Sequence, residues 1–200
     1  MATQAYRTRT RSRKADATRA RITSAVRDLL SDGAFHQATM EEVAERAGIS
    51  RATLYQHFGS RLDLIDAICE TFSENPALLE LRELVVNPDP NVALDRTIAN
   101  SVRFWASEEA VLSQIYGVAA IDPAAQSLVD RQRADRRGEL ERLVRNLDQA
   151  DRLRPNARRA LALLLVLTSY ETFRELSETS LSPRQVTAAL QETARDLILA

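Results

Sequence analysis

Polar side chains between Ser50 and Arg61 include the residue types that recognise nucleic-acid bases. Arginine and glutamine form paired hydrogen bonds with guanine and adenine edges in the major groove, and alanine or threonine methyls can contact the thymine methyl. In this short segment the apolar residues lie on one side, and residues of these types lie on the other side: Arg51, Ala52, Thr53, Gln56 and His57. This pattern indicates base recognition in a duplex.

Two short helices joined by a tight turn would position these side chains. Thr39 and Glu42 have the spacing of a capping box, which predicts the start of the first helix. Ser50 is a suitable N-cap for the second helix. Between them, Gly48 tolerates the positive φ of a sharp reversal. The spacing therefore predicts a helix-turn-helix whose second helix presents its outer face.

Other polar groups of this segment are candidate phosphate contacts. Thr39, Ser50 and Arg61 each stand at the start of a predicted helix, where free N–H groups and the helix dipole favour anions. Tyr55 could pack its ring inward and send its hydroxyl to a phosphate, and a purely core role is the alternative. For His57 the alternative is a surface or capping histidine.

The composition predicts helix nearly throughout. The 200 residues include five glycines and six prolines, about half of the usual share of these residues. Alanine, leucine, arginine and glutamate, which favour helices, are plentiful. No strand-like alternation or internal repeat is evident. Apolar periodicity and breakers predict helices near 16–31, 40–48, 51–58, 61–75, 77–86, 92–106, 108–120, 123–150, 156–177 and 183–199.

Charge is distributed unevenly along the chain. Residues 1–61 carry 11 basic and 6 acidic side chains, and 62–200 carry 16 and 22, although the net charge is −1. This asymmetry favours a polyanion-binding N-terminal part joined to a body with another task. Residues 1–15 hold five basic residues, no acid and no apolar periodicity, and we interpret them as a flexible basic arm.

The stretch from Ala34 to Ile68 resembles the DNA-binding domain of the TetR family of bacterial transcriptional regulators. The family usually has lysine where this chain has Arg61, so the charge is kept. The resemblance rests on about a dozen positions at fixed spacing: Phe35, Thr39, Val43, Ala44, Ala47, Gly48, Ile49, Ser50, Thr53, Leu54, Tyr55, His57, Phe58 and Leu64.

The resemblance implies an all-α fold of about nine or ten helices. A three-helix helix-turn-helix head would occupy residues 16–61, and a helical ligand-binding and dimerisation domain would occupy 62–200. The DNA contacts that the resemblance implies, position by position, are Thr39, Arg51, Ala52, Thr53, Tyr55, Gln56, His57 and Arg61.

The implied function is a sequence-specific DNA-binding transcriptional regulator, a repressor that a small apolar or amphipathic ligand releases from its operator. A DNA-binding module controlled by a protein partner, with no small ligand, is the alternative. Aromatic residues are the candidate lining of the effector pocket, with ordinary core packing as the alternative: Phe72, Phe104, Trp105, Tyr116 and Tyr170.

The resemblance also implies a homodimer formed mainly through the last two helices. A two-fold dimer would place two heads on successive major-groove faces and would require a pseudo-palindromic operator in double-stranded DNA. Two apolar stripes are the candidate interface, although the sequence does not separate them from monomer core: Leu161, Leu164, Leu165 and Thr168 on one helix, and Val186, Leu190, Thr193 and Leu197 on the other.

Other classes of protein are not expected from this sequence. It has no nucleophile elbow, phosphate loop or metal-ligand spacing, so we predict no catalytic residue, no metal and no cofactor. The longest apolar run has eight residues, far below the roughly 18 needed to cross a bilayer. The N-terminus lacks the apolar stretch of a secretory signal, and the single cysteine suits a reducing compartment. A soluble cytoplasmic protein without a membrane partner is the expectation.

Overall fold

The computed structural model describes residues 2–84 and 89–200, with side chains for 13–81, 89 and 91–200. No β-strand occurs in these ranges, where a single antiparallel bridge joins Leu153 to Leu199. This architecture confirms the all-α fold class. The helices are α1 (Ala2–Ser31), α2 (Met40–Arg46), α3 (Arg51–His57), α4 (Arg61–Thr71), α5 (Pro76–Leu84), α6 (Pro90–Ala119), α7 (Pro123–Gln149), α8 (Ala157–Leu167), α9 (Tyr170–Glu178) and α10 (Pro183–Ile198).

Helix α1 is longer than the sequence analysis predicted. We interpreted residues 1–15 as a flexible arm, whereas the helix begins at Ala2. No glycine or proline interrupts residues 2–31, and alanine, arginine, glutamine and lysine all favour helix. Local propensity therefore extends the helix even where no apolar periodicity marks a buried face.

Contacts divide the chain into two units, of which the first comprises residues 1–71 and 110–128. In this unit α1 packs against α2 and α4, and α2 packs against α3. Ile22, Leu30, Leu54 and Ile68, from α1, α3 and α4, are fully buried. Burial of such side chains stabilises each by roughly 1.5–3 kcal/mol relative to exposure. The core of the first unit thus contains the apolar faces of the predicted helix-turn-helix.

The second unit comprises residues 72–109 and 129–200, and its helices differ from the prediction in two places. The sequence analysis placed a break between α-helical segments near residue 107, but α6 runs through it without interruption. Ser107 donates its hydroxyl to the carbonyl of Phe104, so it stays in the helix and does not end it.

The predicted helix 156–177 is in fact two helices, α8 and α9, separated at Thr168 and Ser169. The Thr168 hydroxyl donates to the Leu164 carbonyl, and Ser169 caps α9 by accepting a hydrogen bond from the Thr172 amide. Trp105 donates its indole N–H to the Thr168 carbonyl at 3.0 Å. A side-chain donor thus satisfies a carbonyl that no continuing helix would satisfy.

None of the helices described by the structure combines the length and the apolar character that crossing a membrane requires.

The turn at Gly48 yields a stability prediction. Its φ is +63°, and a Cβ there would lie 2.8 Å from the Arg21 Nη2 atom. We expect Gly48→Ala to lower the free energy of unfolding, because the left-handed backbone alone costs an L-residue about 1–2 kcal/mol. Urea denaturation followed by circular dichroism measures this change.

Gly138→Ala is the matched control. Gly138 lies within α7, and a Cβ there meets no atom within 4 Å. The alanine should stabilise the helix by roughly 0.5–1 kcal/mol. If both variants changed the free energy of unfolding equally and in the same direction, the role given to the Gly48 turn would be contradicted.

Candidate nucleic-acid interface

The helix-turn-helix predicted from the sequence is present, and caps define both of its helices. The Thr39 amide donates to Glu42 Oε2 at 2.6 Å, and the Glu42 amide donates back to Thr39 Oγ1 at 3.2 Å, which completes the capping box of α2. Ser50 caps α3 by accepting a hydrogen bond from the Thr53 amide at 3.1 Å. These caps fix where α2 and α3 begin.

Apolar residues anchor α3 on one side only. Leu54 is fully buried, and Phe58, which caps the end of the helix, is also buried. On the other side Arg51, Ala52 and Gln56 are exposed. Because a helix buried along one stripe keeps its opposite face in solvent, α3 presents the side chains that the sequence analysis selected for base recognition. Thr53 and His57 are half-buried at the edges of that face.

Arg51 and Tyr55 lie together on the exposed side of α3. The Tyr55 residue is 44% exposed, which is inconsistent with the purely core role considered from the sequence. The Arg51 guanidinium lies 5.5 Å from the centre of the Tyr55 ring, and its Nη1 atom lies 3.7 Å from Glu41 Oε2. Arg51 therefore has protein partners on both sides, yet it remains accessible.

The predicted phosphate contacts are engaged within the protein. Thr39 Oγ1 donates to Glu42, and Ser50 Oγ shares a hydrogen bond with Thr53 Oγ1. Arg61 is half-buried and donates to the backbone carbonyls of two residues that precede α2, Phe35 and Ala38. A phosphate contact by any of these residues stays a prediction.

The sequence analysis missed three arginine contacts that stabilise the first unit. Arg19 stacks over the Phe58 ring at 4.7 Å, Arg21 donates to the backbone after α2, and Arg61 donates to the backbone before it. The Arg21 and Arg61 hydrogen bonds join residues 23–27 positions apart. No local pattern signals such pairs, so only the folded chain reveals them.

Four of the five predicted effector residues form one buried cluster in the second unit. Phe72 meets Phe104 edge-on at 5.6 Å, Phe104 meets Trp105 at 4.8 Å, and Trp105 lies 5.7 Å from Tyr170 between ring centres. Such contacts are those of closely packed aromatic rings. Tyr116 belongs to the first unit and is half-buried.

A groove of about 540 Å³ also occurs in the second unit, and it contains none of the predicted effector residues. It is lined by Ala99, Val102, Arg103, Ala106, Ser107, Pro183, Arg184 and Thr187.

The predicted dimer stripes divide into core and surface. Leu164, Thr168, Val186 and Leu190 are buried inside the single chain, because α8 packs against α10. These four residues therefore belong to the core of the single chain, which is the alternative that the sequence left open, and an interface on α8 and α10 stays a prediction. The remaining members are half-buried or exposed: Leu161, Leu165, Thr193 and Leu197.

The structure adds a surface residue that the stripes omitted. Val166 of α8 is 61% exposed, although it stands in a helix of almost continuous apolar sequence. A helix that is apolar on every side usually has partners on every side.

Across the residues that the structure describes, no group of three or more histidine, cysteine, aspartate or glutamate side chains is arranged to hold a metal ion.

The N-terminal domain matches a known family. Residues 22–68 match the family model described as bacterial regulatory proteins of the tetR family. This stretch, about a quarter of the chain, is similar to the DNA-binding domain of that family.

Two curated relatives, both named as regulators of transcription, align with part of the chain. The HTH-type transcriptional activator FasR of Mycolicibacterium smegmatis is 38% identical over 60 residues, which are 30% of this chain and 27% of FasR. The HTH-type transcriptional regulator UidR of Escherichia coli K12 is 41% identical over 70 residues, which are 35% of either chain. The aligned stretch spans about a third of the length of these relatives.

Solved structures resemble the chain over most of its length. Salmonella enterica GusR has a TM-score of 0.74 at 22% identity and covers 90% of this chain and 95% of GusR. A protein described as a transcriptional regulator from Saccharomonospora viridis, in complex with choline, has a TM-score of 0.74 at 18% identity, with 91% and 97% covered. At these identities the likeness establishes the fold.

The capping box yields a pH prediction. Hydrogen bonds from the Thr39 amide and then from its hydroxyl hold the pKa of Glu42 below its ordinary value of 4.5. A carboxyl whose pKa is lowered by folding stabilises the protein above its ordinary pKa, and this contribution disappears as the pH falls through the lowered pKa. We expect the stability difference between the native chain and Glu42→Gln to shrink as the solution is acidified.

Chemical denaturation at a series of pH values from about 7 to about 3 measures this difference. Glu45→Gln, at an exposed position of the same helix but outside its capping box, is the control with which the trend of Glu42→Gln is compared. If the difference in free energy of unfolding between the native and Glu42→Gln chains stayed constant over the whole pH series, the lowered pKa of Glu42 would be contradicted.

Proposed function

We propose that this chain is a sequence-specific DNA-binding regulator of transcription that acts in the cytoplasm as a homodimeric repressor. The observation that carries the proposal is the exposed polar face of α3, on which Arg51 and Gln56 stand above a buried Leu54. Side chains of these types make paired hydrogen bonds with guanine and adenine edges. The family match over residues 22–68 supports the same function.

Recognition by α3 would combine base and backbone contacts. Arg51 and Gln56 are the proposed base-reading residues, with Ala52 and Thr53 beside them for thymine methyls. Tyr55 and His57, beside the same face, would contact the backbone of a bound duplex and so fix its register. Binding would require Arg51 to exchange its contact with Glu41 for a base.

Dimerisation would supply the second reading head. The exposed apolar side chains of Val166 on α8 and Leu197 on α10 support an interface on these helices, with half-buried Leu161 and Leu165 nearby in sequence. Two copies related by a two-fold axis would bind a pseudo-palindromic operator.

A small apolar or amphipathic ligand would control the regulator. The groove of about 540 Å³ in the second unit supports a site for such a ligand. Buried Glu108, which accepts a hydrogen bond from Asn75 at 3.2 Å, supplies a carboxylate in the same unit. The Saccharomonospora viridis protein was solved with choline. Ligand binding would lower operator affinity only if the ligand favours the state that does not bind DNA.

Base reading is tested by Arg51→Ala and Gln56→Ala. A duplex selected by the native protein from a random pool serves as the operator, and an unrelated duplex of equal length serves as competitor. Each variant should lose roughly 1–3 kcal/mol of binding free energy on the selected duplex, with little change on the unrelated one.

Arg46→Ala is the matched control, since it removes the same charge from an exposed arginine of α2 that pairs with Asp32. It should affect both duplexes alike, because a lost positive charge weakens binding to any phosphate backbone. Unaltered selectivity of Arg51→Ala and Gln56→Ala would refute the proposed contacts.

The dimer interface is tested by Val166→Glu. A carboxylate in the centre of an apolar interface costs several kcal/mol unless it is paired, so we expect sedimentation velocity to report a monomer. Leu79→Glu changes an equally apolar, 45% exposed residue of α5 and should remain dimeric. A Val166→Glu protein that sediments like the native chain would place the interface elsewhere.

Repression and ligand control are tested with a reporter gene placed downstream of the selected operator. Expression of the chain should lower reporter output, and a rise in output would make the protein an activator, as FasR is described. Choline and a medium-chain fatty acid are the first ligands to add to the purified protein–operator complex. If neither these nor a wider set of amphipathic compounds releases the DNA, the evidence would favour control by a protein partner.

A further inference from the structure

We infer that Arg21 and Arg61 are positioning residues that hold α2 at both ends and thereby set the place of α3. The inference assigns Arg61 to the protein backbone and not to a DNA phosphate, contrary to the expectation from the sequence. The expected effect on DNA selectivity rests on the proposed function. The contacts themselves do not, because they lie within the first unit.

Arg61 holds the N-terminal end of α2. Its Nη1 and Nη2 atoms donate to the carbonyls of Ala38 and Phe35, and its guanidinium lies 4.7 Å from the centre of the Phe35 ring. Ala38 directly precedes Thr39, the N-cap of α2. The turn that leads into α2 is therefore attached to the first residue of α4.

The backbone of Arg61 is itself fixed. The Ser60 amide donates to Asp63 Oδ2 at 2.9 Å, and the Asp63 amide donates to Ser60 Oγ at 3.2 Å. This reciprocal pair caps the start of α4. Phe35 and Ala38, on the receiving side, are both buried. The contact thus joins two ordered segments.

Arg21 holds the C-terminal end of α2. Its Nη2 atom donates to the carbonyls of Ala47 and Gly48, each at 2.6 Å. These carbonyls follow the last turn of α2, where the helix supplies no further donor. Gly48 permits this approach, because a Cβ there would lie 2.8 Å from the same nitrogen. The turn between α2 and α3 is therefore attached to α1.

The Arg61 contact uses the shape of the guanidinium group and not only its charge. The planar fork of Arg61 reaches two carbonyls at once and stacks on the Phe35 ring, whereas a lysine ammonium is a compact point charge on a flexible stem. If Arg61 turned toward a phosphate it would give up both carbonyl bonds and the Phe35 ring. Arg61→Lys therefore separates the two roles, since it keeps the charge but loses the fork. Arg21 makes both of its bonds through one nitrogen, so its contact is tested by removing the donor altogether.

The positions of α2 and α3 matter because base recognition demands side chains placed to within about 0.5 Å. The two arginines attach the ends of α2 to α1 and α4, in addition to the buried faces of α2 and α3 and the ion pair between Arg46 and Asp32. Loosening either end should spread the position of Arg51 and Gln56 over several arrangements. Selectivity would then fall more than affinity for DNA in general.

The first experiment needs no DNA. Hydrogen exchange of backbone amides is measured for the native chain, Arg61→Lys, Arg21→Met and the control Arg46→Lys, whose ion pair with Asp32 a lysine can also form. We expect exchange to quicken by about tenfold at Glu42 and Val43 in Arg61→Lys, and at Ala47 to Ile49 in Arg21→Met, since each loses charged hydrogen bonds. The control should match the native chain.

A uniform rise across α1, α2 and α4 in either variant would overturn the inference, because it would indicate general destabilisation. Exchange equal to that of the native chain would overturn it as well. These outcomes are independent of whether the chain binds a duplex.

The second experiment measures selectivity. The duplex selected by the native protein and an unrelated duplex are titrated with folded Arg61→Lys and Arg61→Met at several salt concentrations. A positioning role predicts that both variants lose about tenfold in the ratio of the two affinities, with the salt dependence of Arg61→Lys unchanged.

A phosphate contact predicts the opposite pattern. Arg61→Lys would then bind like the native chain, and Arg61→Met would weaken on both duplexes equally with its salt slope reduced by about one. That result would overturn the positioning role. If the native chain selects no duplex at all, the proposed function fails, while the exchange experiment still decides how α2 is held.

Discussion

The anchoring of α3 by Leu54 is the constraint on which the rest of the structure depends. This side chain is fully buried, and the helix that carries it has only seven residues. A helix so short is not stable alone in water and must draw its stability from packing. Burial of Leu54 therefore both forms α3 and decides which of its faces remains in solvent. The exposed polar side chains owe their orientation to this burial, to buried Phe58 at the end of the helix and to the turn before it.

Several arginines of the first unit stabilise the fold, so its excess of positive charge is not all available to bind a polyanion. The sequence shows an excess of basic residues over 1–61, and we took it as a sign of binding to a polyanion. In the folded chain Arg19, Arg21 and Arg61 stack on aromatic rings or donate to backbone carbonyls, and Arg27 donates to Thr71. Much of the excess therefore maintains the fold, and charge counts alone overstate the number of cations that a duplex could meet.

The sequence predicted those features of the molecule that local rules control. The capping box at Thr39, the cap at Ser50 and the reversal at Gly48 follow from short spacings, and the structure contains each of them. The sequence analysis missed the break at Thr168. One of the hydrogen bonds there comes from Trp105, 63 positions away, and no local pattern signals such a donor.

The sequence also could not show which apolar residues of a helix would be buried. Leu164 and Val166 stand two positions apart in a helix rich in leucine, yet the first is fully buried and the second is largely exposed. Periodicity assigns a residue to a face, but only the packing of α8 against α10 decides which face lies inside the subunit. Four of the eight residues in the predicted dimer stripes therefore belong to the core of the single chain, and the location of the interface stays a prediction.

Under the proposed function, the contact between Arg51 and Glu41 has a consequence for the time that the protein spends on unrelated DNA. Exposed pairs of this kind are worth about 0.2–1 kcal/mol, and every phosphate that approaches Arg51 competes with the Glu41 carboxylate. A random stretch of chromosome offers little in return for breaking the pair, whereas a correctly placed guanine offers two hydrogen bonds. We expect the protein to leave unrelated DNA sooner than its charge alone would allow and so to sample more of the genome per second. Single-molecule tracking measures the dwell time on unrelated DNA.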